Sequence, residues 1–110
     1  MEISFKTNKL EKQLTNPKEL LKAFGERARK VNQRVKDLKG AQTLAIMRTI
    51  PAARCHELSG DRKGELGVDV SVNFRLVFQP NHEPTPRKAD GGLLWEDVTR
   101  IQILGIEDYH

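Results

Sequence analysis

The sequence is poor in cysteine and has no long hydrophobic segment. A single cysteine, Cys55, among 110 residues rules out an internal disulfide, so packing and hydrogen bonds must hold the fold, as in a reducing compartment. The longest apolar runs, such as residues 44–47, fall far short of the roughly 20 residues that span a bilayer. The first residues also lack the charged and apolar regions of a signal peptide. We therefore expect a cytoplasmic protein that does not enter the membrane.

Several familiar binding motifs are missing as well. The sequence has no internal repeat, no Gly-x-Gly-x-x-Gly, no Walker loop and no paired-cysteine motif. Dinucleotide, nucleoside triphosphate and zinc-finger functions therefore have no support, and no cofactor is expected. A length of 110 residues with 37% hydrophobic residues fits one modest core, which predicts a single domain over residues 1–110.

Positive charge is present in excess and is unevenly distributed. The net charge is +4, but residues 1–64 carry 15 Lys and Arg against 7 Asp and Glu, whereas residues 65–110 carry 4 against 8. A basic half attracts nucleic acid, and it can equally dock an acidic segment of a partner protein. Many of the same lysines also fit the solvated face of one helix.

Helical signals fill the first half of the chain, after a short strand over residues 2–6 and a short helix over residues 8–14. Asn16 and Pro17 are a typical helix start. Apolar residues then recur at helical spacing until Gly40 supplies a stop signal, which predicts one long amphipathic helix. A further short helix over residues 44–49 must end before Pro51.

The second half of the chain shows the alternation of strands. Polar turns are expected at residues 59–64 and near Asn73, and a loop at residues 80–92. The predicted strands cover residues 54–58, 66–72, 74–79 and 95–106. The pattern predicts an α+β fold in which an N-terminal strand and helices pack on one face of a mainly antiparallel four- to five-stranded sheet. The uncovered face is then the expected place for a functional site.

Three short segments combine cationic, aromatic and titratable side chains: residues 54–64, 73–75 and 107–110. Cleavage of RNA by the ribose 2′-hydroxyl needs a base, cations that stabilise the charge on phosphorus, and an acid for the leaving oxygen. Each segment alone also fits a structural role: His56 as a hydrogen-bonded strand residue, or Arg75 paired with Asp69 across a hairpin.

The order of these segments is more specific than any one of them. A strand His is followed by Gly-Asp-Arg-Lys-Gly, then by Asn-x-Arg, then by a terminal Asp-Tyr-His. Along nearly the whole chain this order resembles the HigB branch of the RelE/ParE toxin superfamily. The matching residues are His56, Gly60 to Gly64, Asn73, Arg75, Asp108, Tyr109 and His110.

The resemblance implies a RelE-like fold and the toxin of a type II toxin–antitoxin system, of the kind found in plasmid maintenance. Such a toxin is a metal-independent endoribonuclease, an mRNA interferase that usually acts on the ribosome, and a HigA-type helix-turn-helix antitoxin neutralises it. His56 and His110 would be the acid and base, Tyr109 would orient or stack the nucleotide, and Asp108 would position the site. The residues expected to hold phosphate are Arg75, Arg62 and Lys63, and we add Arg54 to the RNA-binding set.

Two departures from the family pattern leave other functions open. Ser59 stands where the family often has Lys, so that Arg62 or Lys63 must supply the charge or the activity is weakened, and the loop at residues 80–92 is long. The main alternative is a non-enzymatic ParE-like toxin that inhibits a protein target. A DNA-binding repressor is weaker, because no compact helix-turn-helix is visible. A metal site of His56, His82, His110 and Asp108 is disfavoured, because the ligand spacing fits no recurrent motif.

Overall fold

The computed structural model describes residues 1–109, which form a five-stranded sheet with three α-helices. The strands are β1 (Glu2–Phe5), β2 (His56–Glu57), β3 (Leu66–Asp69), β4 (Phe74–Pro80) and β5 (Arg100–Asp108). The helices are α1 (Asn8–Thr15), α2 (Pro17–Phe24) and α3 (Ala28–Gly40). The sheet order is β1-β5-β4-β3-β2, with β1 parallel to β5 and every other pair antiparallel. The predicted α+β architecture is confirmed.

One face of the sheet packs against the helices and forms the core. The buried side chains of this core include Leu14, Val31, Val35 and Leu38 from the helices and Leu66, Val68, Leu76, Phe78, Ile101 and Ile103 from the strands. Successive side chains of a strand point to opposite faces. The residues between these core positions therefore point away from the helices and form an outer face.

The single long helix predicted up to Gly40 is wrong, because the chain breaks at Gly25. Gly25 has a φ of +52°, which favours glycine and ends α2, and its N–H donates to the carbonyl of Leu21. One 3-10 turn, Gly25–Arg27, then leads into α3. The change of direction leaves Leu21 64% exposed, although its spacing had placed it on the buried face. Among residues 1–109, no helix is long and apolar enough to cross a membrane.

Three of the predicted strands differ from the observed ones by more than one residue at an end. The strand predicted over residues 54–58 is reduced to β2, because Arg54 has a left-handed φ of 42°. The strand predicted up to residue 72 ends at Asp69, and the N–H of Val70 already closes the turn to the carbonyl of Phe74. The last strand begins at Arg100 rather than at Trp95, because residues 95–97 form a 3-10 turn.

Arg34 of α3 is a buried cation that ties the helix to the end of β3. Its Nε–H donates to the carbonyl of Asp69 at 2.7 Å, and its Nη2 to the carbonyl of Ala52 at 3.2 Å. Its Nη1 lies 3.1 Å from the carboxylate of Asp37. These contacts fix the backbone from which the Asp69 side chain enters the outer face.

Replacing Arg34 with alanine is expected to lower the free energy of unfolding by about 2 to 3 kcal/mol. The substitution removes the Arg34 donors to the carbonyls of Asp69 and Ala52 and leaves Gln33 as the remaining donor to the Asp37 carboxylate. Urea unfolding of the purified protein measures the change, with Arg29→Ala on the exposed side of α3 as the control. A loss for Arg34→Ala no larger than that of the control would contradict this role.

Candidate functional site

The outer face carries a row of charged side chains at one end of the sheet. Asp69 of β3, Arg75 of β4 and Glu107 of β5 lie opposite one another in the strand register. Asp69 and Arg75 each lie between residues that pack in the core, and Glu107 directly follows Ile106, which packs against it, so all three point away from the helices. Since the strands are hydrogen-bonded neighbours, the row is set by backbone pairing rather than by flexible loops.

Glu107 binds two arginines at once. Its Oε1 accepts from Arg75 Nη2 at 2.7 Å, from Arg75 Nε at 2.9 Å and from Arg62 Nη1 at 2.9 Å. Its Oε2 accepts from Arg62 Nη2 at 3.0 Å. Arg62 comes from the 3-10 turn Gly60–Arg62 between β2 and β3, and its Nε–H donates to Glu65 at 2.8 Å. This first cluster gathers two guanidinium groups at the rim of the outer face.

Asp69 is the centre of a second cluster. Its carboxylate accepts from Arg54 Nε at 2.7 Å, from Arg54 Nη2 at 3.3 Å and from the hydroxyl of Tyr109 at 2.7 Å. Arg54 Nη2 also donates to the Tyr109 hydroxyl at 3.1 Å. Asp69, Arg54 and Tyr109 therefore form a closed triangle of hydrogen bonds.

Tyr109 joins the two clusters. The guanidinium carbon of Arg75 lies 4.5 Å from the centre of the Tyr109 ring, within the range of a cation–π contact. The Tyr109 N–H donates to the carbonyl of Asn73 at 2.7 Å, which holds the end of the chain beside the turn between β3 and β4. The aromatic ring and the arginine thus lie together where a nucleotide could stack and bind through its phosphate.

His56 of β2 lies beside the second cluster. Its Nδ1 is 2.8 Å from the carbonyl of Arg54. A carbonyl only accepts, so Nδ1 carries the proton in this contact and the neutral ring keeps its lone pair on Nε2. The Coulombic interaction with the imidazole helps to lower the pKa of Asp69. The arrangement leaves Nε2 able to take up a proton.

Comparison with solved structures shows where this architecture occurs. The chain superposes on a YoeB/ParE toxin from Agrobacterium tumefaciens with a TM-score of 0.56 and 15% sequence identity, over 100% of both chains. It has the RelE/YoeB/ParE toxin fold. No protein-family model matches the sequence, and neither does any curated protein. At this level of identity the likeness concerns the fold alone.

Three of the predicted site residues lie apart from the charged row or beyond the described residues. Lys63 lines a groove of about 430 Å³ whose walls include Glu57 and Arg87, rather than joining Glu107 as Arg62 does. Asp108 follows Glu107 on β5, so strand alternation places it on the opposite face of the sheet. His110 lies outside the described residues. The turn that begins after Ser59 thus directs Arg62, rather than Lys63, to the outer face.

The metal site considered from the sequence is not assembled within residues 1–109, where no group of three or more His, Cys, Asp or Glu could hold a metal ion. Nε2 of His82 accepts from the N–H groups of Thr99 and Arg100, at 3.0 and 3.2 Å. Those residues lie at the start of β5, whereas Glu107 lies near its end. His82 thus binds the backbone at the far end of the strand.

The two central carboxylates are stabilised in their charged form. Hydrogen bonds from Arg62 lower the pKa of Glu107, and those from Arg75 add to the effect against the opposing influence of burial. Burial raises the pKa of Asp69, but hydrogen bonds from Arg54 and Tyr109 outweigh it, so that the pKa is lowered overall. By contrast, burial raises the pKa of the Cys55 thiol to about 12, which makes it a poor nucleophile.

These lowered pKa values predict acid-sensitive stability. The stabilising effect of each carboxylate is complete above its ordinary pKa, 3.8 for Asp69 and 4.5 for Glu107, and is lost as the pH falls through the lower folded-state values. Because both side chains are partly exposed, we expect Glu107→Gln to remove only about 0.5 to 1 kcal/mol of the acid dependence. Urea unfolding between pH 6 and pH 3 measures it. An equally steep loss of stability in Glu107→Gln would contradict the prediction.

Sequence reasoning gave neither Asp69 nor Glu107 a role in the site, although Glu107 lies in the segment 107–110 that it singled out. Asp69 was considered only as a cross-strand partner of Arg75, but Arg75 binds Glu107 instead, and Asp69 binds Arg54 and Tyr109. Glu107 had one usable signal, because antiparallel pairing of β4 with the last strand places a residue of that strand opposite Arg75. Identifying it required the strand register, which depends on the irregularity in the pairing next to Val77 and Phe78.

Proposed function

We propose that this chain is the toxin of a type II toxin–antitoxin system and that it cleaves mRNA on the ribosome. The observation that carries the proposal is the meeting of Arg75, Arg62 and Tyr109 on the outer face, with Arg54 and His56 at its border. Phosphodiester cleavage needs cations and groups that can act as base and acid, such as an imidazole, and an aromatic ring can stack on a neighbouring base. The toxin fold supports the same assignment.

The proposed reaction is attack of a ribose 2′-hydroxyl on the adjacent phosphorus. His56 Nε2 takes the proton of the 2′-hydroxyl, and His110 donates a proton to the departing 5′-oxygen, with the two roles open to exchange. Arg75 and Arg62 stabilise the charge on the phosphoryl oxygens, and Tyr109 stacks on the neighbouring base. The bond to the 5′-oxygen breaks as the bond to the 2′-oxygen forms. Lys63 and Arg54 contact flanking phosphates, and Asp108 positions the site.

The proposed setting follows from this activity. Residues 1–110 act as one toxin domain of the HigB type in the cytoplasm, where the mRNA is. A HigA-type antitoxin with a helix-turn-helix domain silences it. A helix-turn-helix protein encoded beside this gene would support the pairing, and copurification of the two proteins would test it.

Induced expression with mapped mRNA 5′ ends tests the function. We expect growth arrest together with new 5′ ends that are phased with the codons of translated messages. Cleavage that is not phased with the codons would support the nuclease activity but contradict its dependence on the ribosome.

A ParE-like toxin that binds a protein target is the second candidate, favoured by one observation. In the two clusters, Arg54, Arg62 and Arg75 are each paired with a carboxylate, so that these ionic groups cancel in charge. A neutralised polar surface suits docking to a protein. Growth arrest with intact mRNA would favour this candidate over the nuclease.

A further inference from the structure

The strongest unexplained feature of the outer face is the carboxylate of Glu107 between Arg62 and Arg75. Four donors contact it at 2.7 to 3.0 Å: Nη1 and Nη2 of Arg62, and Nε and Nη2 of Arg75. β4 and β5 are already paired through their backbones, so that this partly exposed carboxylate adds only modestly to stability. The position of the Glu107 carboxylate between two arginines therefore needs an explanation other than stability.

A carboxylate and a phosphodiester present the same feature to a guanidinium group. Each offers two oxygens that share negative charge and accept parallel N–H bonds from the planar fork of arginine. Glu107 occupies the terminal nitrogens of Arg62, while Glu65 takes the Nε of that arginine. The groups that would hold an RNA phosphate are therefore already filled by side chains of the same chain.

We propose that Glu107 is an internal competitor for the phosphate-binding site, and that an RNA phosphate binds to Arg62 and Arg75 by displacing it. The proposal rests on the proposed function, in which these two arginines bind the phosphate. Glu107 then has a regulatory role: it keeps both guanidinium groups in the geometry of the bound state, and it weakens binding of anions that cannot compete.

The surroundings of the two arginines permit this exchange. The side chain of Glu107 is 32% exposed and that of Arg62 is 34% exposed, so both can swing outward into water. Arg75 is only 16% exposed, and other groups hold it in place. Its guanidinium lies over the Tyr109 ring. Its Cδ packs close to Gly67, since a Cβ added to that glycine would lie 3.3 Å from the Arg75 Cδ. Departure of Glu107 therefore leaves at least one arginine ready for phosphate.

Glu107→Gln tests the proposal, because it removes the charge and keeps the shape. The matched control is Glu2→Gln, which makes the same change in net charge at an ion pair with Arg100, near the opposite end of β5. The probes are a labelled single-stranded RNA with 2′-O-methyl riboses, which cannot react through the 2′-hydroxyl, and inorganic phosphate. Fluorescence anisotropy measures RNA affinity, and the rise of the melting temperature measures phosphate binding.

We expect Glu107→Gln to bind the RNA about tenfold more tightly than the native chain, and Glu2→Gln to change affinity by less than about twofold. Glu107→Asp, which keeps the charge on a shorter side chain, should bind with intermediate affinity. It also serves as the test should Glu107→Gln fail to fold. Equal or weaker binding of both RNA and phosphate by the Glu107 variants would overturn the proposal and make Glu107 a positioning residue for the arginines.

Cleavage of unmodified RNA by the same variants separates this proposal from the nuclease function. If the Glu107 variants bind RNA more tightly but none of the proteins cleaves it, the competitor role of Glu107 is supported and the nuclease function is rejected. Cleavage with unchanged affinity would retain the nuclease and remove the competitor role. A similar gain in RNA affinity for Glu2→Gln would mean that net charge alone explains the effect, and would also overturn the proposal.

Discussion

Replacing Arg75 with alanine is expected to lower the rate of mRNA cleavage by about 10²- to 10³-fold, because one preorganised donor to the transition-state charge is lost. Arg75 is the least exposed of the paired arginines in the two clusters, and it contacts both Glu107 and the Tyr109 ring. The measurement is single-turnover cleavage of a defined mRNA on purified ribosomes.

Arg100→Ala is the matched control, since Arg100 pairs with the exposed Glu2 at the start of β5. Circular dichroism and thermal unfolding establish that both variants are folded. Cleavage by Arg75→Ala within about threefold of the native rate would remove this arginine from the reaction, because such a change is far below the loss expected for an oxyanion donor.

Replacing His56 with alanine is expected to slow cleavage by about 10²- to 10⁴-fold, the usual contribution of general acid–base catalysis. Nδ1 of His56 donates to the carbonyl of Arg54, which leaves Nε2 as the proton acceptor. The same single-turnover assay measures the loss, and the limb of the pH–rate profile that belongs to the base should disappear.

The control for His56 is His82→Ala, because Nε2 of His82 is already held by the backbone at residues 99 and 100. We expect cleavage by His82→Ala to stay close to the native rate. A His56 variant with an unchanged pH–rate profile would leave His56 with the structural role that its contact to Arg54 also permits.

Local signals in the sequence were sufficient for most of the fold. The Asn16 side chain caps α2 by accepting from the N–H groups of Lys18 and Glu19, as its position before Pro17 indicates. Alternation identified β3 and β4 because each has one face in the core. The break at Gly25 was missed because Phe24 and Ala28 keep their helical spacing across a short 3-10 turn. The stop signal was thus hidden within an unbroken apolar pattern.

The site was less predictable because its contacts are long-range. Arg62 and Glu107 are 45 positions apart, and Tyr109 meets Asp69 across 40 positions. Residue order drew attention to Arg54, Arg62 and Arg75, which the structure brings together, but not to the carboxylates that they contact. Ser59 illustrates this limit of the sequence. The sequence shows that Ser59 carries no charge, but whether Arg62 or Lys63 supplies a charge to the outer face depends on how the turn after Ser59 is oriented.

In the proposed reaction, the outer face cleaves RNA through the ribose 2′-hydroxyl. The most direct measurement compares two otherwise identical mRNAs on the ribosome, one of them with a single 2′-deoxyribose just before the mapped cleavage site. We expect the native message to be cut to a 2′,3′-cyclic phosphate and a 5′-hydroxyl end, and the 2′-deoxy message to stay intact at that site. Cleavage of the 2′-deoxy message there, or products with 5′-phosphate ends, would contradict the proposed reaction.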